Sequence, residues 1–120
     1  MPISNNFYKF KFGIQRLGVD EVLMGLASHH VVGKIGLSED SWALSHTGLL
    51  YHGETTVETG LTVDTGCSVD ISVKGDYLTF KVSYPDGMNG KFEHYDERLS
   101  TLTLYPALTI GYMSTVEISR

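Results

Sequence analysis

The chain has 120 residues, of which 42% are hydrophobic and 19% are charged, and its formal net charge is −5. This length and composition predict one folded domain, 1–120, with a core that needs no disulfide to support it. The acidic balance, with no basic stripe to neutralise phosphates, argues against nucleic-acid binding.

The sequence also carries no signal for export or membrane insertion. No window is apolar over the length of a membrane span, and residues 1–6 lack the basic and apolar regions of a signal peptide. The single cysteine, Cys67, has no partner for an internal disulfide. We therefore expect an intracellular, cytoplasmic protein that is a monomer and does not bind a membrane.

The first half of the chain predicts four short strands. Apolar and polar side chains alternate along the first, which indicates a strand with one buried face. The second is ambiguous because Asp20 would also cap a short helix there, and the strand is favoured because its neighbours are strands. Residues 31–37 contain two glycines and are predicted to form a loop. The four strands are 7–14, 22–27, 41–44 and 49–52.

The segment 69–82 predicts a β-hairpin with its turn at Gly75-Asp76. A Gly-Asp pair supplies the positive φ angles that a two-residue turn needs. This turn puts the apolar side chains on one face, so a slip of one residue would turn them to water. A sheet with one wet face is typical of antiparallel sandwiches. The predicted partners are Lys74 with Tyr77, Val73 with Leu78, Ser72 with Thr79, Ile71 with Phe80, Asp70 with Lys81 and Val69 with Val82.

The segments on either side of the hairpin predict three further strands. Residues 53–65 are rich in threonine and glycine, with a short strand predicted at 61–63. Strands at 102–110 and 115–119 close the chain. Pro106 lies inside the first of these, and a proline there indicates a bend, a bulge or an edge strand.

Residues 84–99 are predicted to form the longest irregular stretch. Pro85-Asp86-Gly87 and Asn89-Gly90 are both turn signals within it. Many short strands separated by turns favour an all-β fold in which two antiparallel sheets form a β-sandwich.

The five histidines do not follow the spacing of a metal site. His29 and His30 are adjacent, so a strand would point them to opposite faces. His46 and His52 flank a strand rather than share it, and His94 stands alone. Because zinc sites draw on close pairs of ligands on one face, neither a metal site nor a cofactor is predicted.

A search for catalytic residues predicts no enzyme. The G-x-S-x-G motif of a serine nucleophile is absent. Cys67 has Asp64 and Asp70 nearby, and acidic neighbours disfavour a reactive thiolate, so Cys67 is interpreted as a small buried residue. Asp64, Asp70 and Asp76 are six residues apart, which does not fit a calcium-binding loop.

Three aromatic residues near strand ends are candidates for a binding surface: Trp42, Tyr51 and Tyr112. Large aromatic residues are mostly core, and Trp42 is predicted to be one of them. A tyrosine at a strand end offers flat contact area and one hydroxyl, as binding surfaces do. From residue type alone, a core position remains the favoured interpretation.

Four motifs, taken together and in order, resemble those of the SPRY domains, which form the core of B30.2 domains. They cover about residues 7–118, and the family's acids in the hairpin are replaced here by Ser72 and Lys74. Residues 7–27 are similar to the opening "YFEV…VGLA" pair, 40–44 with 48–53 to "DSWG…GxxYHxG", 71–80 to "LDxDxGTLSF", and 104–111 to "LYPAVSLG".

This resemblance implies a bent antiparallel two-sheet β-sandwich, a jelly roll of the concanavalin-like type. It also implies a non-catalytic module that recognises a short peptide segment of another protein through loops at one end. In members that bind peptides, the tyrosine of the Tyr-His motif and the residues after the "LYPA" strand line the pocket. The matching positions here are Tyr51, Ile110, Gly111 and Tyr112.

Two other functions fit the same sandwich. A lectin-like domain would bind or process carbohydrate, since concanavalin-like folds share this general shape. A structural subunit would dock its wet face or an edge strand in an assembly. The ordered motifs and the absence of a catalytic pattern favour peptide recognition.

Overall fold

The molecule is built from ten strands in the part of the chain that is described. The computed structural model describes residues 7–16, 22–28, 35, 41–109 and 114–119. A short 3₁₀ helix, Glu97–Thr101, lies between the eighth and ninth strands. The strands are β1 (Phe7–Arg16), β2 (Leu23–Ala27), β3 (Ser41–Ser45), β4 (Leu49–His52), β5 (Thr55–Glu58), β6 (Ser68–Lys74), β7 (Tyr77–Ser83), β8 (Asn89–Tyr95), β9 (Tyr105–Thr109) and β10 (Thr115–Ser119).

These strands form two five-stranded sheets. Sheet A has the order β10-β1-β6-β7-β8, and sheet B has the order β5-β4-β3-β2-β9. All the neighbouring strands are antiparallel. The predicted all-β antiparallel two-sheet architecture is therefore confirmed.

The β6–β7 hairpin has the register that its sequence predicts. Val73 lies opposite Leu78 and Asp70 opposite Lys81, and every other predicted pair is also present. Gly75 in the turn has a φ of 60°, the left-handed conformation that favours glycine. Residues alternate between buried and more exposed along both strands. The hairpin thus presents one face to the core and one to solvent.

The inward faces of the two sheets enclose the main core. Trp42 is fully buried there, as predicted, and Cys67 is buried as well. Leu99 of the 3₁₀ helix also reaches this core. The largest fully buried side chains of this core are Trp42, Phe12, Phe80, Met24, Leu26, Leu44, Leu50, Ile71, Leu78, Leu99 and Leu104.

The prediction of an irregular stretch at 84–99 was wrong. Strand β8 occupies its centre and pairs with β7 over its whole length. The turn forms at residues 85–87, closed by a hydrogen bond from Gly87 N to Tyr84 O, whereas Asn89-Gly90 begins the strand. Although Asn89-Gly90 favours a turn, β8 forms at the edge of sheet A because β7 supplies partners for its backbone hydrogen bonds.

The prediction of a strand at 61–63 was also wrong. Leu61 and Val63 are buried, but no strand forms there. The Val63 N–H donates instead to the carbonyl of His46. The strand that does form in this region is β5, which is four residues long and mostly exposed. Because its side chains are mostly polar, a search for apolar residues does not predict it.

The strands near the beginning and the end of the sequence follow the prediction more closely. The strand alternative for 22–27 is confirmed by β2, and the last strand by β10. Pro106 lies in β9, an edge strand of sheet B among the described strands, which is the kind of position where sheets tolerate a proline. The loop predicted at 31–37 lies outside the described residues except for Ile35. None of the described helical residues forms a segment with the length and apolarity needed to cross a membrane.

Candidate functional site

Tyr51 lies on the outer face of sheet B, pointing away from the main core. Its neighbours along β4 establish this, because Leu50 packs in the main core and side chains alternate along a strand. Tyr51 is half-buried and packs against a second, smaller apolar cluster. That cluster consists of Leu23, Ala27, Ile35 and Ala43, with Tyr51 and Ala107 packed against it.

Small residues lead away from Tyr51 across three neighbouring strands. The pairing places Tyr51 beside Ala43, Ala43 beside Gly25, and Gly25 beside Ala107. With strands about 4.8 Å apart, this row is about 14 Å long. We call the surface formed by these four residues the Tyr51 face. Ala43 is fully buried and Gly25 is buried too, so the rest of the chain covers the middle of this row, whereas Tyr51 and Ala107 at its two ends are half-buried.

Ile35 packs over the same side of sheet B. Its side chain is buried, and its backbone N–H donates to Oγ1 of Thr109 at 3.3 Å. Thr109 is the last residue of β9 and lies one row beyond Ala107. The Tyr51 face is thus bordered by Tyr51 on one side and by Ile35 with Thr109 on the other.

Of the four residues predicted to form a binding site, the structure describes one. Tyr51 is on the surface just defined. Ile110, Gly111 and Tyr112 lie outside the described residues, so their part in the site stays a prediction. Thr109, directly before them, lies about 16 Å from Tyr51 when strand spacing and residue rise are combined.

A polar cluster lies on the opposite, inward side of β4. The His52 ring stacks on Trp42 with 4.4 Å between ring centroids and 20° between planes. Oδ2 of Asp96 accepts a hydrogen bond from Nε1 of Trp42 at 3.2 Å and lies 3.3 Å from Nδ1 of His52. His94 lies close to both, so that one ligand atom each of His52, His94 and Asp96 lies within 4.8 Å of the others.

Asp96 is the residue that connects this cluster to the backbone. Its Oδ1 accepts a hydrogen bond from Arg98 N at 2.9 Å, which caps the 3₁₀ helix. Its own N–H donates to the carbonyl of Asp76 at 2.8 Å. Partial burial lowers the pKa of His94, the charge of Asp96 raises it, and nearby His52 lowers it; the net direction is downward.

The grouping of His52, His94 and Asp96 is not among the sites that the sequence predicts. His52 is distant in sequence from the other two, and the sheets bring them together. The sequence contains one local signal of this grouping, because His94 and Asp96 are two residues apart and such residues share a face of an extended chain. The patterns used to predict a zinc site contained only pairs of histidines.

Solved structures with the same fold include two SPRY domains. The SPRY domain of human HERC1 aligns with a TM-score of 0.73 and 17% identity, covering 98% of this chain and 76% of that one. A second human SPRY domain aligns with a TM-score of 0.69 and 17% identity, covering 92% and 74%. The chain has the SPRY fold.

A third, larger solved structure also aligns with this chain. The stonustoxin structure aligns with a TM-score of 0.63 and 12% identity, covering 94% of this chain and 19% of that one. No protein-family model and no curated protein matches the sequence. At these identities the neighbours establish the SPRY fold alone.

Proposed function

We propose that this chain is a non-catalytic recognition module that binds a short extended segment of another protein on the Tyr51 face. The partly exposed ring of Tyr51, on the outer face of sheet B, carries the proposal. Tyr51 offers a rigid ring for contact with a peptide, and Ala107 at the far end of the row is partly exposed as well. The SPRY fold and the motif resemblance support the same interaction role.

The two ends of the face are separated by the length of a short peptide. The distance of about 16 Å between Tyr51 and Thr109 is the length of about five extended residues. We propose that Ile110, Gly111 and Tyr112, which follow Thr109, supply the second end of the site. The ligand would then contact Tyr51 at one end and this segment at the other.

Selection of peptides followed by calorimetric titration tests the proposal. Peptides from a random display library are selected on the immobilised protein, and the best are titrated against variants. We expect Tyr51→Ala to raise the Kd at least about tenfold, because aromatic residues carry a large share of binding energy. Tyr51→Phe should lose less, since it keeps the ring.

Tyr95→Ala is the matched control for Tyr51→Ala. Tyr95 is 58% exposed on β8, in the other sheet, so its removal should leave the Kd unchanged. Tyr112→Ala tests the second end and remains informative if Tyr51→Ala fails to fold.

Equal affinity of wild type, Tyr51→Ala and Tyr112→Ala, with circular dichroism unchanged, would exclude the proposed site. If no peptide is selected, a glycan array and sedimentation test the carbohydrate and assembly alternatives.

A further inference from the structure

Two histidines and an aspartate from both sheets converge at one margin of the sandwich. His52 ends β4 of sheet B, His94 lies in β8 at the edge of sheet A, and Asp96 directly follows β8. The cluster is partly accessible, with the side chains of His52 and Asp96 exposed by 16% and 15%. It lies on the inward side of β4, so it is separate from the Tyr51 face.

We propose that His52, His94 and Asp96 form a binding site for a divalent transition-metal ion, with Zn²⁺ the best-fitting ion. Imidazole nitrogen and carboxylate oxygen bind Zn²⁺ at about 2.0–2.2 Å, usually in a tetrahedron. That geometry puts neighbouring ligand atoms about 3.3–3.4 Å apart. Nδ1 of His52 and Oδ2 of Asp96 already have this separation, at 3.3 Å.

The third ligand needs only a small adjustment. All three ligand atoms lie within 4.8 Å of one another, so side-chain rotation can bring His94 into contact with the same ion. Three protein ligands leave a fourth tetrahedral position for water, and the partial exposure of His52 and Asp96 gives the ion a path of entry.

The surroundings of Asp96 resemble the outer shell of a metal site. Trp42 Nε1 donates to Oδ2, and the backbone N–H of Arg98 donates to Oδ1. Such donors fix the orientation of a ligating carboxylate. A purely structural network accounts for Asp96 and His52 but leaves His94 beside a second imidazole, whereas a metal ion uses both rings.

The stacking of His52 on Trp42 provides a direct readout. Trp42 is the only tryptophan of the chain, so paramagnetic Ni²⁺ or Cu²⁺ bound at His52 should quench most of its fluorescence. Calorimetry with Zn²⁺ alone should give one ion per chain. Zn²⁺ at one hundred times its Kd should raise the melting temperature by about 10 °C, because it binds the folded state alone.

Conservative variants test the ligand set. His94→Gln and Asp96→Asn should each weaken Zn²⁺ binding at least about tenfold, and Asp96→Asn keeps one side-chain oxygen that can accept the capping hydrogen bond from Arg98 N. Glu93→Gln is the matched control, since Glu93 is exposed and adjacent to His94 on the other face of β8. The Zn²⁺ affinity of this variant should equal that of the wild type.

Two results would overturn the proposal. One is the absence of Zn²⁺ heat and of Ni²⁺ or Cu²⁺ quenching at millimolar metal. The other is equal Zn²⁺ affinity in the wild type, His94→Gln and Asp96→Asn, with circular dichroism unchanged, which would assign binding to other side chains. Neither result depends on Tyr51 or on any peptide, so this proposal and the proposed function fail independently.

Discussion

Gly25 is a position where a single missing side chain allows two strands to approach. A Cβ built on Gly25 would overlap the carbonyl oxygen of Trp42 and lie 2.9 Å from the Cα of Ala43. These are backbone atoms of the paired strand β3, so they cannot rotate away. Glycine at this position therefore allows β2 to pair closely with β3 at the centre of sheet B.

We expect Gly25→Ala to lower the free energy of unfolding by about 1–3 kcal/mol, because the new methyl group has to push β2 away from β3. Urea denaturation followed by Trp42 fluorescence measures the change. Gly13→Ala is the control. Its Cβ would meet only Glu117 O at 3.9 Å, so its effect should stay within about 0.5 kcal/mol. Equal effects of the two substitutions would contradict the steric argument.

At the scale of elements, the solvent-facing side of sheet A carries an unfavourable charge pair. The register places Lys11 beside Asp70, Asp70 beside Lys81, and Lys81 beside Lys91. Lys11 and Asp70 approach to 3.8 Å. Like charges directly opposite each other destabilise a sheet, so the pairing of β7 with the edge strand β8 is weakened at Lys81 and Lys91.

We expect Lys91→Glu to raise the free energy of unfolding by about 0.2–1 kcal/mol, because it replaces a like-charge pair by an opposite-charge pair. The gain should shrink in 1 M NaCl, where salt screens exposed charges. Lys74→Glu is the control, since Lys74 lies opposite Phe7 and Tyr77 and gains no such partner. Stabilisation of both variants to the same extent would point to net charge instead.

At the scale of the whole molecule, the sheets join segments that are far apart in the chain. In sheet A, β1 lies between β6 and β10, and in sheet B, β2 lies beside β9. Closing such long loops before any contact forms is entropically costly. The main core therefore cannot be completed by any half of the chain alone.

This topology predicts slow folding. Stopped-flow refolding, followed by Trp42 fluorescence, should relax in about milliseconds to seconds, as for other sandwiches with mostly non-local pairing. Trp42 is a suitable probe because it is fully buried between the sheets. Complete relaxation within microseconds would contradict the argument.

The features that the sequence determined by itself are local. The β6–β7 hairpin could be predicted to the exact partner of each residue, because alternation and a Gly-Asp turn act over a few neighbours. Strands β3 and β4 and the burial of Trp42 follow from similarly short patterns. The ordered motifs added the SPRY-like sandwich, which the structural neighbours bear out.

Tertiary structure alone decided the rest. Strand β8 forms because β7 supplies its backbone partners, and the small-residue row beyond Tyr51 exists because four strands align in register. The meeting of His52 with His94 and Asp96 depends on how the two sheets stack. No local pattern encodes these arrangements, because each needs side chains whose positions are fixed only when distant segments pack together.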